Sequence, residues 1–269
     1  MYNNLNSADV REMYESNEVK AGEIISDGWL HYGYFDKTNP DATLAAGSEK
    51  FSRIMIEKTP IGAGQRFCDI GCGIGIPGIM LVKEKRCILD GMTISAHQQQ
   101  TATLLATEAG VGELASFYQA DALALPFDAH SYDGGWFFES ISHMGHEDAL
   151  QEAKRVLKSG ALLLIADFIT HDKTSRAFMK YAREEVHSNF ISLDKYHRIL
   201  KKCGFEVLEL NDVTEHVGNP FPQKFQEAFM AHKEEIKHLV GEKEIQKWLD
   251  IHQTISENTG YITLVTRAL

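Results

Sequence analysis

Basic side chains are in short supply in this chain. Its 27 lysines and arginines face 38 aspartates and glutamates, for a formal net charge of -11. A nucleic-acid partner wants a basic face, so this balance argues against one. Cysteine is scarce too: Cys68, Cys72, Cys87 and Cys203 make no C-x-x-C pair. They read as small packing residues rather than metal ligands, no metal is expected, and free buried thiols fit a reducing cytoplasm. No run of about 18 apolar residues occurs, so no transmembrane helix is expected. Residues 1–12 are polar and lack the basic-then-apolar pattern of a secretory signal. Internal repeats and low-complexity segments are missing as well. What is present is ordinary for a globular protein: 269 residues, 43% hydrophobic and 24% charged, long enough for one well-buried α/β domain with insertions.

The most informative stretch is Phe67-Cys68-Asp69-Ile70-Gly71-Cys72-Gly73-Ile74-Gly75-Ile76-Pro77-Gly78. An apolar strand runs into an acid, then alternating glycines, then a helix whose free N–H groups face whatever binds there. Two readings compete. Gly73, Gly75 and Gly78 spell the dinucleotide fingerprint G-x-G-x-x-G, while Asp69, Gly71, Gly73 and Gly75 spell D-x-G-x-G-x-G. An acid at the strand's carboxyl end suits a ligand carrying positive charge and does nothing for a pyrophosphate. A tight turn with no ligand is the third possibility.

Taken in order, residues 8–26 read as one helix, followed by a glycine-punctuated aromatic cluster from Trp29 to Phe35. Asp41 is placed to cap a helix running to about Lys58. Strands are expected at 66–70, 86–92, 115–120, 131–138, 161–168, 205–213 and 261–267, with helices at 95–110, 147–158 and 192–203 between them. This alternation predicts an α/β fold: a Rossmann-like, seven-stranded, mostly parallel, doubly wound sheet whose last strand is antiparallel. The whole chain, 1–269, is expected to form a single domain. An N-terminal lid, 1–40, and helical cap insertions, 170–191 and 214–258, belong on the carboxyl edge of the sheet, where such folds bind ligands.

The order of motifs resembles the class I S-adenosylmethionine-dependent methyltransferases over nearly the whole chain. In particular it is similar to the branch holding small-molecule natural-product O-methyltransferases and the sterol, isoprenoid and cyclopropane C-methyltransferases. The resemblance favours D-x-G-x-G-x-G and implies S-adenosylmethionine as cofactor. Asp69, Gly71, Cys72, Gly73 and Gly75 would then form its turn. Gly91-Met92-Thr93-Ile94-Ser95 follows the second strand, with Thr93 where the family's ribose-binding acid usually stands; Thr93, Ile94 and Gln98 would line the ribose and adenine side. Asp90 falls one residue too early for that role. Asp121-Ala122-Leu123 matches the segment whose acid meets the adenine amino group, although an aspartate there also serves to cap a turn.

Phe138-Glu139-Ser140-Ile141-Ser142-His143-Met144 resembles the branch's E-S-x-x-H-M segment, which places Phe138 against the cofactor. In the O-methyltransferases a histidine and an aspartate at such positions pair for catalysis, which implies His143 as general base with Asp167 orienting it or holding the acceptor. His146 is the alternate base. In the C-methyltransferase alternative, Glu139 and lid aromatics steady a carbocation. A cofactor-binding protein with a non-methylating role is a further alternative. Tyr34, in the aromatic cluster, and Tyr14 would close over the cofactor as lid residues. The expected partner is a small-molecule methyl acceptor, with homodimerisation left open.

Overall fold

In the computed structural model, which describes residues 5–171 and 174–269, local capping decides where the elements begin. Ser16 interrupts the expected first helix: its hydroxyl accepts the Val19 N–H at 3.2 Å, splitting the segment into α1 (Ser7–Tyr14) and α2 (Asn17–Ile25). Thr43, not Asp41, caps α3 (Leu44–Glu57), accepting the Ala46 N–H at 3.2 Å. The core then alternates: β1 (Arg66–Ile70), α4 (Ile76–Lys85), β2 (Ile88–Thr93), α5 (Ala96–Glu108), β3 (Ala115–Gln119), β4 (Tyr132–Phe138), α6 (His146–Val156) and β5 (Leu157–Thr170). After it come α7 (Arg176–Glu185), β6 (Ile191–Ser192), α8 (Leu193–Lys202), β7 (Phe205–Asp212), α9 (Phe221–Ile236), α10 (Glu242–Asn258) and β8 (Thr259–Ala268).

The strands lie in the order β3-β2-β1-β4-β5-β8-β7, with β6 paired to β5. All pairs are parallel except those of β8, which runs antiparallel to both β5 and β7. The expected doubly wound sheet with an antiparallel last strand is thus present. β6 is an additional strand, two residues long and too short to leave a periodic signal. β5 starts earlier than expected, because α6 stops at Val156 and Leu157 already pairs with Tyr132.

Large side chains fill the sheet faces. Phe67 and Trp136 meet edge to face at 5.0 Å, both fully buried. Asp90 is spent inside the sheet: its Oδ2 takes the Arg66 guanidinium at 2.5 Å and the Tyr132 hydroxyl at 2.9 Å. The chain order reverses between β1's two neighbours, β2 and β4, which opens a crevice at the carboxyl ends of the strands. Helices α2 and α3 pack against α9, as does α10, while α1 packs on α2. Of the expected lid and cap segments, residues 1–4 and 172–173 lie outside the described residues.

Candidate active site

The turn between β1 and α4 forms the floor of a cavity in that crevice. Gly71 and Gly73 hold φ of +84° and +54°, a region that side chains with a Cβ disfavour. A Cβ on Gly71 would collide with Ser140, whose hydroxyl donates to the Ile70 carbonyl at 2.5 Å and ties β1 to the segment after β4. The same cavity is lined by Asp69, Cys72 and Gly75 from this turn, and by Thr93, Ile94 and Gln98 from the end of β2 and α5. Asp121, Ala122 and Leu123 line it after β3, and Phe138, Glu139 and His143 after β4.

Details of the wall bear on what fits. The Thr93 hydroxyl donates to Gln98 Oε1 at 2.7 Å, which leaves Gln98 Nε2 buried with no partner. An orphaned amide N–H in a cavity wall is what a ligand hydroxyl or ring nitrogen would satisfy. Asp121 does cap its turn, accepting the Leu123 N–H at 2.9 Å, while also lining the cavity. Asp69 is 2% exposed, and burial pushes its carboxyl up to about 7. A cationic ligand would relieve that cost.

Glu139 lies in the left-handed region, φ +53°, a strained conformation for a residue other than glycine. Its Oε1 accepts the Tyr32 N–H at 2.8 Å and the Tyr261 hydroxyl at 2.5 Å. Burial first, and the charge of Asp167, push its carboxyl up to about 8 against those two bonds. The Tyr32 hydroxyl in turn meets His252 Nδ1 at 2.9 Å. Burial holds His252 down at about 4, so its imidazole is neutral.

His143 follows β4 in a single helical turn, Ile141–His143. Its Nδ1–H donates to the His187 carbonyl at 2.9 Å, with Ser188 Oγ at 3.3 Å. That bond assigns the proton to Nδ1 and leaves Nε2 as the acceptor. Burial holds the ring's basicity below the ordinary histidine value, although the His187 bond and the Asp167 charge oppose this.

Three expectations need correction. Asp167 does not pair with His143. It is fully buried in β5, bonded to the Tyr196 hydroxyl and 3.6 Å from His146 Nε2, and it lines neither the cavity described above nor the one described below. The His187 carbonyl takes the orienting place. His146, the alternate base, lines neither of these two cavities: it is buried near that same carboxylate and packs edge-on against Tyr196 at 5.2 Å. Tyr34 does not line the glycine-turn cavity. Its N–H bonds the Gly47 carbonyl at 2.9 Å, drawing the ring against His216 at 4.9 Å and under the Lys50 ammonium. Within the same aromatic cluster it is His31 that lines the cavity.

A second, larger cavity of about 770 Å³ adjoins the first. Trp29, Tyr32, Phe221, Phe225 and Trp248 make its aromatic walls, and Tyr32 stacks flat on Phe221. Its rim carries Asp9, Glu12, Glu18, Glu185 and Glu244, with Lys247 ion-paired to Glu185 at 2.6 Å. Four residues line both cavities: Tyr14, Leu30, His31 and His143. Tyr14 meets His143 edge to face at 5.6 Å, and His31 stacks on Phe138 at 4.1 Å. The wall formed by Phe221, Phe225 and Trp248 was not legible as a site, since phenylalanines four apart on a helix read equally well as core.

A doubly wound sheet with a glycine-turn cavity beside an aromatic one is an architecture that can bring a bound cofactor against a small molecule. A family model described as a methyltransferase domain matches residues 68–165. The 27-O-demethylrifamycin SV methyltransferase of Amycolatopsis mediterranei is 30% identical, covering 93% of this chain and 97% of its own. The (+)-O-methylkolavelool synthase of Herpetosiphon aurantiacus is 29% identical over 97% of this chain and 93% of its own. By fold, the crystal structure of the 4+2 cyclase SpnF matches with a TM-score of 0.84 at 24% identity, over 97% and 96% of the two chains. The geranyl diphosphate C-methyltransferase of Streptomyces coelicolor matches with a TM-score of 0.77 at 18% identity, over 98% and 97%. The chain belongs to the S-adenosylmethionine-dependent methyltransferases. S-adenosylmethionine is accordingly its cofactor, and the buried Asp69 and the orphaned Gln98 amide suit its ammonium and its adenosine hydroxyls.

Proposed function

We propose that the protein methylates a hydroxyl oxygen of a small, neutral, largely apolar acceptor, with His143 as general base. The observation that carries this reading is the shared wall: His143 borders both the cofactor cavity and the aromatic one. S-adenosylmethionine supplies the methyl group on a positively charged sulfur. The acceptor's hydroxyl proton would pass to His143 Nε2 as the oxygen–methyl bond forms and the sulfur–methyl bond breaks. The surrounding aromatic wall excludes water and aligns the acceptor.

Two features favour a neutral alcohol over a prenyl diphosphate such as the one bound by the Streptomyces coelicolor structural neighbour. The acceptor cavity's rim is lined mainly by carboxylates, which repel a phosphate group that brings no metal ion, and its Lys247 is already paired. The relatives named for 27-O-demethylrifamycin and O-methylkolavelool carry O-methyl transfer in their names. The test is incubation with S-adenosylmethionine and a panel of apolar alcohols, with geranyl diphosphate and other alkenes alongside. Mass spectrometry should find a methyl ether. A product methylated at carbon would overturn the reading in favour of C-methylation steadied by Glu139.

Asp69 gives a pH expectation. Burial raises its carboxyl to about 7 in the cofactor-free protein, so a proton must leave before it can pair with the ligand's ammonium. S-adenosylhomocysteine affinity should therefore fall as pH drops below about 7. Calorimetry in buffers of different ionisation enthalpy should detect proton release on binding near neutrality. Asp69→Asn should bind more weakly and lose that pH dependence. An affinity independent of pH between 6 and 8 in the wild type would count against the pairing.

A further inference from the structure

The lid over the cofactor cavity is fastened to a helix of the cavity's own wall. Leu5, Ser7, Val10 and Tyr14 line the cavity, so α1 and the residues just before it form part of its wall. At the break between α1 and α2 stands Glu15. Its Oε1 accepts the Ser95 hydroxyl at 2.8 Å, the Ala96 N–H at 2.7 Å and, more weakly, the His97 N–H at 3.4 Å. These are the first donors of α5, which a helix leaves unsatisfied. Ser95 caps α5 from its own side, accepting the Gln98 N–H at 3.1 Å. The helix thus has two caps, one of them supplied by the lid. A carboxylate at a helix N-terminus gains both charge-assisted bonds and the helix dipole. A second tie lies alongside, from Glu23 of α2 to His97 Nε2 at 3.2 Å.

The placement matters because α5 bears Gln98 and follows Thr93 and Ile94, all of which line the cofactor cavity. Glu15, Ser95, Ala96 and His97 line neither cavity. Their bonds therefore contact no ligand, yet they join the lid's pivot to the cavity wall. Tyr14, at the junction of the two cavities, is the residue next to that pivot.

We infer that Glu15 is a positioning residue, a latch that holds the N-terminal lid shut over bound cofactor by capping α5 from across the site. Release of the cofactor requires this cap to break. The inference rests on reading the glycine-turn cavity as that of the cofactor.

The test uses S-adenosylhomocysteine as the probe on the full chain. Its dissociation is followed by stopped-flow displacement, and the lid by amide exchange. In the wild type the ligand should slow exchange across residues 7–25. Glu15→Ala should speed release about tenfold, the scale of losing a charged helix cap, and remove most of that slowing. Glu15→Gln keeps an acceptor oxygen and should restore part of both. Glu23→Gln, which cuts only the second tie, should speed release by a smaller factor and provides a test should Glu15→Ala fold poorly. Release and lid protection unchanged in a folded Glu15→Ala would overturn the latch. So would a uniform rise in exchange through β1, β4 and β5, which would mark Glu15 as a general stabiliser. Absence of saturable binding by the wild type would instead overturn the cofactor reading of the cavity.

Discussion

Replacing His143 with alanine is expected to slow methyl transfer by about a hundredfold or more while leaving S-adenosylhomocysteine affinity near wild type. The imidazole is oriented through Nδ1, which donates to the His187 carbonyl at 2.9 Å, so the lone pair of Nε2 is the one available to an acceptor hydroxyl. Burial, acting against that bond and the Asp167 charge, keeps the ring neutral at physiological pH. A base whose conjugate acid is disfavoured is ready to accept but loses activity on acidification. The wild-type rate should rise with pH, with a midpoint below the ordinary histidine value, and then level off. His143→Ala should lose that rise. Turnover at the wild-type rate across pH would move the base elsewhere. Asp167→Asn provides a contrast: with no contact to His143, it should cost less than His143→Ala and act partly through stability, because it weakens a charge-assisted bond to the buried Tyr196 hydroxyl.

Much of this site was legible because its parts are local. The turn from Asp69 to Gly75 announces itself through residues that only a sharp strand-to-helix bend needs. Thr93, Ile94, Gln98, Asp121 and Phe138 came from the family resemblance, and they line the cavity because they stand at or just after the carboxyl ends of β2, β3 and β4, ends that hydrophobic runs mark well. Asp90 was legible for the same reason: one residue too early in its strand, it is buried with Arg66 and Tyr132. What failed depends on contacts distant in sequence. The choice between His187 and Asp167 as partner to His143 is made by how the segment after α7 folds back, 44 residues away. Whether Tyr34 faces a ligand is decided by the Gly47 carbonyl and by His216, across the sheet's covering helices. Glu15 carries no motif, since an acid between two short helices looks like any solvated charge until α5 is seen to lie beneath it.

Gly73→Val is expected to abolish cofactor binding, with S-adenosylhomocysteine affinity reduced at least about a hundredfold in calorimetry. Two effects add. Gly73 holds φ +54°, where a residue with a Cβ pays about 1–2 kcal/mol and a β-branched one more. The side chain would also stand in the cavity, its Cβ 3.3 Å from Leu30 Cδ1, occupying space needed by the ligand. Leu30 is a flexible neighbour, so the fold should survive, and circular dichroism with a melting curve checks that it does. Gly64→Val separates the two effects. Gly64 has φ +78°, nothing lies within 4 Å of a Cβ built there, and it does not line the cavity. The same class of backbone strain at Gly64 should lower the melting temperature by a few degrees and leave S-adenosylhomocysteine affinity unchanged. If both variants lost binding equally, strain transmitted through the fold would be the cause. If Gly73→Val bound as well as wild type, the cofactor would not approach this turn, and the buried Asp69 carboxyl and the unpartnered Gln98 Nε2 would need another explanation.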